Sequence, residues 1–255
     1  GGWDALLVRP AASGGHVFSK RFGDGGGQVF SDVAVGPAGE IWAIGTFWGA
    51  IDFGTGPLTG AGGWDVMLVK FEPDGDTAFA QRYGDGADQQ GRGVGIDGQG
   101  TVHFAAGLSG SADFGGGVLT SAGGYDVGLG SAAGDGTFLA ARRFGDVASQ
   151  LPYGLDVDGG GRVVMAGDLY GAIDFGAGAL TSAGAADVFV ATFAASGEHL
   201  WSSRHGDALD QYGNDVALLA NGATVVAGHF YGTIDFGGEM TSGRGPDPYV
   251  LRFSP

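Results

Sequence analysis

The stretch that decides the fold lies near the C-terminal end of the sequence: Arg204-His205-Gly206-Asp207 running on to Gln211, then Asp215-Val216-Ala217-Leu218, Thr224-Val225-Val226-Ala227-Gly228 and Asp235-Phe236-Gly237. Its skeleton occurs four times at a spacing of 61 residues. A fixed period of this kind is the signature of a repeat architecture. The recurring positions are Arg21, Arg82, Arg143 and Arg204; Asp24, Asp85, Asp146 and Asp207; Gln28, Gln89, Gln150 and Gln211; and the Asp-Phe-Gly triplets that start at Asp52, Asp113, Asp174 and Asp235.

Each repeat contains four short apolar runs separated by turns. The first run type begins at residues 4, 65, 126, 187 and 247, and the second includes 16–22 and 199–205. The third type is short and almost uncharged, as in 32–35 and 215–218, and the fourth includes 41–47. No segment shows sustained apolar spacing of three and four, so the sequence predicts essentially no helix. Four strands per unit with regular turn signals predict an all-β array.

A four-stranded unit of this length is the size of a propeller blade. We therefore expect one β-propeller domain over residues 1–255, with four blades of about 61 residues. The units are 4–64, 65–125, 126–186 and 187–246, followed by a strand at 247–253. The third strand type is expected to be innermost and the most buried. The fourth, first and second types should follow outward in each blade.

The pattern Arg-Phe/Tyr-Gly-Asp…Gln…Val-x-Val-Asp-Gly-x-Gly-x-Val…Ala-Gly resembles the bacterial β-propeller repeat family labelled SBBP. The likeness covers all four units. It implies the propeller fold and an exported protein, extracellular or on the cell surface. It implies no activity, because that family has no common catalytic motif. The chain departs from the family in having four units where seven are expected.

The first strand type occurs five times and the other types four times. In a closed ring, the fourth blade would take its outermost strand from 16–22, which leaves one first-type strand over. Two alternatives follow: the sequence is a segment of a longer array, or the spare strand pairs elsewhere. A free edge strand is a route to association, so a homo-oligomer is one expectation.

Composition restricts the partners. The net charge of −16 argues against nucleic acid, whose phosphates need a basic face, and against an anionic membrane surface. No apolar run long enough to span a membrane occurs, so membrane insertion is not expected. The absence of cysteine excludes disulfides and Cys-ligated zinc.

The invariant positions favour structural roles. The repeated Arg is expected to tie neighbouring strands or blades through a carboxylate. The Asp of each Gly-Asp turn should bond backbone amides, and the Gln four residues later should bridge to the adjacent blade. A ring of these oxygens around Ca²⁺ is the weaker alternative, and we expect no cofactor. The Phe of each Asp-Phe-Gly triplet is expected to fill the core between blades.

Positions that change from unit to unit in this fixed frame are better functional candidates. One column reads Thr46, Gly107, Asp168 and His229, at the end of the fourth strand type. Two residues further on, the column reads Trp48, Ser109, Tyr170 and Tyr231. Exposed aromatic rings beside an acid or an imidazole suit a glycan or a protein partner. The binding residues predicted from these columns are Thr46, Trp48, Asp168, Tyr170, His229 and Tyr231.

Catalysis has little support in the sequence. The five His residues form no metal-ligand spacing, and no nucleophile elbow occurs. We therefore expect a non-enzymatic binding or scaffolding module. The first alternative is a structural block that assembles through its spare edge strand. The second is a hydrolase or lyase on a propeller scaffold, which requires a cleft that brings Asp168 and His229 together.

Overall fold

The computed structural model describes residues 2–254, and within them every regular element is a β-strand. The prediction of an all-β chain without helix is confirmed. The strands form three four-stranded antiparallel sheets, one three-stranded sheet and five two-stranded sheets.

The larger sheets follow one another along the chain. Sheet 1 has the order β3 (Gly27–Val35), β4 (Ile41–Trp48), β7 (Asp65–Phe71), β8 (Thr77–Tyr83), and sheet 2 has the order β9 (Gln89–Ile96), β10 (Val102–Leu108), β13 (Asp126–Ala132), β14 (Phe138–Phe144). Sheet 3 has the order β15 (Gln150–Val157), β16 (Val163–Leu169), β19 (Asp187–Phe193), β20 (His199–His205), and sheet 4 has β21 (Gln211–Leu218), β22 (Thr224–Phe230), β25 (Asp247–Phe253).

The two-stranded sheets fall into two kinds. The first is the N-terminal pair β1 (Ala5–Pro10) and β2 (His16–Phe22). The others are short ribbons in the Gly-rich segments, where no strands are expected from the sequence. They are β5 (Ala50–Asp52) with β6 (Pro57–Thr59), β11 (Ser111–Asp113) with β12 (Val118–Thr120), β17 (Ala172–Asp174) with β18 (Ala179–Thr181), and β23 (Thr233–Asp235) with β24 (Glu239–Thr241).

The strand count of the end sheets differs from four full blades. Strand β2 pairs with β1 and does not join sheet 4. The structure therefore lacks the ring closure described above, in which 16–22 is the outermost strand of the fourth blade. The reason is local, because β1 and β2 are joined by a short turn and pair as a hairpin. Four antiparallel strands per sheet are therefore observed in three sheets, and the number of blades stays a prediction.

Strands β3, β9, β15 and β21 are the innermost ones, since each packs against the next. The Asp32 carboxylate on β3 accepts a hydrogen bond of 2.8 Å from the Val94 N–H on β9, and Asp156 on β15 accepts one of 2.6 Å from Leu218 on β21. They are not the most buried strands, however, and that expectation is wrong. Strands β10, β16 and β19 are buried at every position, because both of their faces pack against neighbouring sheets.

The apolar core lies between consecutive sheets. Each interface holds a cluster of buried aliphatic and aromatic side chains contributed by the facing strands. Phe53, Phe114 and Phe175 of the Asp-Phe-Gly triplets are buried in three of these clusters. The ring of Phe114, for example, packs at 5.1 Å from the rings of both Tyr83 and Phe104. This packing fixes how successive sheets, and hence their strand ends, face each other.

Candidate functional site

The repeated Arg joins the two outer strands of its own sheet. Arg82 Nη1 on β8 lies 2.9 Å from Asp65 Oδ1 at the start of β7, and the Arg204–Asp187 pair in sheet 3 has the same geometry at 2.8 Å. Asp65 is fully buried. Burial raises the pKa of Asp65, against hydrogen bonds from the Ala61 amide and from Arg82. The equivalent pair of β1 and β2, Arg21 with Asp4, is much more exposed.

The Gly-Asp turn and the Gln form a clamp where the chain passes from one sheet to the next. Asp85 Oδ1 accepts hydrogen bonds from the Ala87 amide at 2.9 Å and from Gln89 Nε2 at 2.8 Å. Gln89 Nε2 also donates to the Ser109 carbonyl at 3.0 Å, within sheet 2 and not across to another blade. Burial raises the pKa of Asp85, but the hydrogen bonds to its carboxylate outweigh burial and the net pKa lies below the usual value.

The clamp explains why a glycine precedes each of these Asp residues. Gly84 has a φ of +149°, and a Cβ placed there would collide with the Asp65 and Gln89 side chains. A left-handed backbone and a filled space both require glycine at this position. Arg, Gly, Asp and Gln of the motif therefore act together as one set of contacts.

Each innermost strand contains a β-bulge at the same repeat position. The ladder skips one residue between Phe30 and Asp32, between Gly91 and Gly93, between Pro152 and Gly154, and between Gly213 and Asp215. A bulge leaves its extra residue unpaired and re-aims the side chain. The bulged residues are Ser31, Arg92, Tyr153 and Asn214, four different chemistries on one backbone geometry.

Asp168 on β16 lies behind the bulge of β15. It is only 3% exposed, and its Oδ1 has no hydrogen-bond partner among the described residues. Burial raises the pKa of Asp168 to about 6, partly opposed by the Tyr153 hydroxyl and by the charge of Arg92. An acid with this pKa exchanges its proton near neutral pH, which is common at functional sites.

Tyr153 is held between the neighbouring bulge and this acid. The Arg92 guanidinium lies 4.8 Å from the centre of the Tyr153 ring, a cation–π geometry. Burial, with the negative charge of Asp168, raises the pKa of Tyr153 to about 12, so its hydroxyl stays protonated. The side chains of Gln90 and Tyr125 extend this polar cluster through a hydrogen bond of 3.0 Å.

In front of Tyr153 is an open cleft of about 230 Å³, lined by Tyr153, Tyr212, Asn214 and His229. The His229 ring stacks on the Tyr212 ring at a centroid distance of 4.9 Å. His229 Nδ1 lies 2.9 Å from Asn214 Oδ1. Because a carbonyl oxygen only accepts, Nδ1 donates this hydrogen bond, and in the neutral form of the ring Nε2 is then the acceptor nitrogen. This arrangement prepares His229 Nε2 to accept a proton from a molecule in the cleft.

The structure brings together some of the predicted rim residues and separates others. Asp168 and His229 border the same cluster, but no ion pair joins them among residues 2–254. Tyr170 joins the cluster through the Tyr212 hydroxyl, and this contact together with burial raises the pKa of Tyr212.

The other predicted rim residues lie elsewhere or play backbone roles. The Thr46 hydroxyl accepts a hydrogen bond of 3.1 Å from the Gly91 N–H of the next sheet. Trp48 is half exposed and lines a separate shallow surface with Trp3 and Trp64. Tyr231 is 39% exposed and does not line the cleft.

Sequence reasoning missed Arg92, Tyr153, Tyr212 and Asn214. Three of them occupy the bulge column, which varies against a fixed frame just as the column of Asp168 does. That variation was the available signal. The variation in this column did not point to a site, because the sequence does not show where a β-bulge shifts the strand pairing by one residue.

Residues 2–254 contain neither a cluster of metal-ligating side chains nor a helix that could span a membrane. No group of three or more His, Asp or Glu side chains there has an arrangement that could hold a metal ion. No helix capable of crossing a membrane occurs in that part of the chain.

Comparison with solved structures gives distant likenesses, one of which is described here. No family model and no curated protein matches the sequence. Among solved structures, the chain is similar to a gluconolactonase from Xanthomonas campestris with a TM-score of 0.42 and 18% sequence identity. The match covers 87% of this chain and 61% of that enzyme, so the chain spans less than two thirds of its neighbour.

This finding corrects the functional prediction from the sequence. The neighbour is an enzyme, and the predictions of a non-enzymatic binding or scaffolding module and of no enzymatic activity disagree with that finding. At a TM-score of 0.42 the likeness assigns neither an activity nor a substrate to this chain. The chemistry has to come from the cluster around the cleft.

Proposed function

We propose that the four larger sheets are consecutive blades of a β-propeller and that the cleft in front of Tyr153 is the active site of a hydrolase. The observation that carries the proposal is the His229–Asn214 hydrogen bond of 2.9 Å in an open cleft. It fixes the tautomer of the imidazole and leaves Nε2 as a general base. The resemblance to SBBP repeats and the location outside the cell stay predictions.

In the proposed reaction, His229 Nε2 takes a proton from a water molecule as the water oxygen attacks the carbonyl carbon of an ester. The carbon–oxygen bond to the leaving group then breaks, and the imidazolium returns its proton to the departing alkoxide. The products are a carboxylic acid and an alcohol. The ring of Tyr212 holds the imidazole in plane by stacking.

Arg92 and Asp168 act behind the cleft. Asp168 and Arg92 together hold Tyr153, one beside its hydroxyl and one over its ring. These residues are positioning residues, and His229 is the catalytic residue.

The substrate class follows from the groups present. Glycoside hydrolysis normally needs two carboxyl groups flanking the scissile bond, and none of the four residues that line the cleft carries a carboxylate. An imidazole base suits acyl transfer to water. We therefore propose a small carboxylic ester as the substrate.

The test is a panel of chromogenic esters, glycosides and phosphate monoesters, assayed with the wild type and with His229→Gln. We expect ester turnover in the wild type and a fall in kcat/KM of about 10²- to 10⁴-fold in the variant. His199→Gln is the matched control, because His199 contacts Ser202 on the outer strand β20 and lies outside the cleft. Wild-type ester turnover no faster than that of His229→Gln would overturn the proposal.

A further inference from the structure

A second cavity lies between sheet 2 and sheet 3, away from the cleft. Its volume is about 80 Å³, and its walls include His103, Ser131, Ala140, Arg142 and Phe193. His103 is the second residue of β10, whereas Gly107, the counterpart of Asp168, lies near the other end of that strand. Four residues along a strand correspond to about 13 Å. The cavity is therefore independent of the proposed hydrolase site.

The interface between sheets 1 and 2 shows what normally fills this space. Trp42 and Phe79 occupy the repeat positions of His103 and Ala140, 61 residues earlier, and their rings pack at 5.6 Å. Lys70, the counterpart of Ser131, reaches across to the Gly134 carbonyl at 2.9 Å. At that interface two aromatic rings and a long side chain occupy the volume.

The interface between sheets 3 and 4 is also filled by an aromatic ring. Trp201 stands at the repeat position of Ala140 and packs on Phe253 with a centroid distance of 5.2 Å. The cavity thus occurs where Ala140 replaces an aromatic residue. The turns that face these positions differ in the same way. A Cβ at Gly136 would collide with the Phe79 ring, whereas no atom lies within 4 Å of a Cβ at Gly197, which lines the cavity.

His103 supplies an independent sign of a ligand. It is 7% exposed, it lines the cavity, and its Nε2 has no hydrogen-bond partner among the described residues. The closest carboxylate oxygen, Asp97 Oδ2, is 3.9 Å away, which is too far for a hydrogen bond. Burial lowers the pKa of His103, so the ring is neutral and can donate or accept. A buried polar atom without a partner is costly, and a polar group in the cavity would remove that cost.

Arg142 supplies positive charge at the same cavity. It is exposed at the cavity wall and takes part in none of the ion pairs found in residues 2–254. Its guanidinium is therefore available to a negatively charged group at the cavity wall. It favours an anionic group on whatever enters, because guanidinium binds carboxylates in a bidentate fashion.

We propose that this cavity binds a small aromatic carboxylate that carries a second polar group, with its ring in the space that Phe79 and Trp201 fill elsewhere. The carboxylate pairs with Arg142, and the second polar group bonds His103 Nε2. The ring packs between Ala140 and Phe193. A compound of the hydroxybenzoate class carries a carboxylate and a second polar group on one aromatic ring.

The test measures the melting temperature of the whole chain while 4-hydroxybenzoate is titrated, with benzoate and phenol as comparison ligands. A ligand that binds only the folded state raises the melting temperature in a saturable manner. We expect the largest rise with 4-hydroxybenzoate and smaller rises with benzoate and phenol, each of which lacks one polar group. The absence of a saturable rise with 4-hydroxybenzoate up to 10 mM, roughly the limit of useful affinity, would overturn the proposal.

Variants locate the site. Ala140→Phe restores the aromatic residue of the neighbouring sheets and should abolish the rise while keeping the far-ultraviolet spectrum. If Ala140→Phe does not fold because phenylalanine is too large, Ala140→Leu is the alternative filling variant, and the same loss of the rise is expected. Arg142→Gln should weaken binding at least about tenfold relative to Arg244→Gln, which removes the same charge at an exposed loop position. An unchanged rise in melting temperature in the Ala140 variant would show that the ligand does not bind in this cavity. Equal affinity in the two Arg variants would show that Arg142 does not contact the carboxylate.

Discussion

Two sets of repeated positions in this molecule behave in opposite ways. The clamp of Arg, Gly, Asp and Gln keeps the same residues in every copy and nearly the same contacts in the last three, as the pairs Arg82–Asp65 and Arg204–Asp187 illustrate. The bulge of the innermost strands keeps its backbone geometry but changes its residue each time. Residues whose side chains contact each other within the clamp stay the same from repeat to repeat. Residues that a bulge leaves unpaired in the sheet can differ, and they can therefore supply functional side chains.

The largest effect is expected when the arginine of the clamp is replaced. Arg82→Ala leaves the fully buried Asp65 carboxylate without its ion partner, so the free energy of unfolding should fall by about 3 kcal/mol. Arg21→Ala is the matched control, since the side chains of Arg21 and Asp4 are 70% and 21% exposed, and should cost less than about 1 kcal/mol. Urea denaturation of both variants measures the difference. Equal losses would contradict the role assigned to burial.

A second prediction concerns Asp168, the buried acid behind the bulge. Its folded pKa of about 6 lies above the ordinary 3.8, so the folded state binds more protons between these values and stability falls as the pH rises through that window. The penalty is absent below about pH 3.8 and fully present above about pH 6, where it amounts to about 2–3 kcal/mol.

Asp168→Asn removes this titration. Relative to the wild type, its free energy of unfolding should therefore increase from pH 4 to pH 7. Denaturation at a series of pH values measures the difference between the two proteins. A difference that stays constant over this range would show that Asp168 titrates alike in the folded and unfolded states.

A third prediction compares two copies of the clamp's glutamine. Gln89→Ala loses hydrogen bonds of 2.8 Å and 3.0 Å donated by Nε2 and one of 3.0 Å accepted by Oε1, so it should cost about 2–3 kcal/mol. Gln28 donates at 2.9 Å and twice at 3.4 Å, and its Oε1 has no partner in residues 2–254. Gln28→Ala should therefore cost about 1 kcal/mol. Thermal unfolding of the two variants orders them, and the reverse order would refute the comparison.

The smallest effect is expected at the first bulge. Ser31 shares the geometry of Arg92, Tyr153 and Asn214 but lies outside the cluster around Asp168. Ser31→Ala should change the free energy of unfolding by less than about 0.5 kcal/mol and leave ester turnover unchanged. Asn214→Ala, at the matching bulge beside His229, should lower turnover by mispositioning the imidazole. Equal rates of ester turnover in the two variants would show that Asn214 does not position His229.

The sequence by itself determined the repeat, the absence of helix, the strand order within each sheet and the buried Phe of the Asp-Phe-Gly triplets. These features depend on residues close in sequence or repeated at one period, so they can be read from pattern. The sequence also singled out Asp168 and His229, because the residue in their column changes from unit to unit within a fixed frame. The burial of the middle strands depends on the packing of neighbouring sheets against both of their faces.

Only the tertiary structure decided which side chains meet. Arg92, Tyr153 and Asn214 come from three different repeats and converge because each bulge turns its side chain out of the ladder. The cavity beside His103 exists because Ala140 is too small to reach the next sheet, which no single repeat reveals. Both sites depend on register and on volume between elements about 61 residues apart in the chain, and these quantities are set by packing.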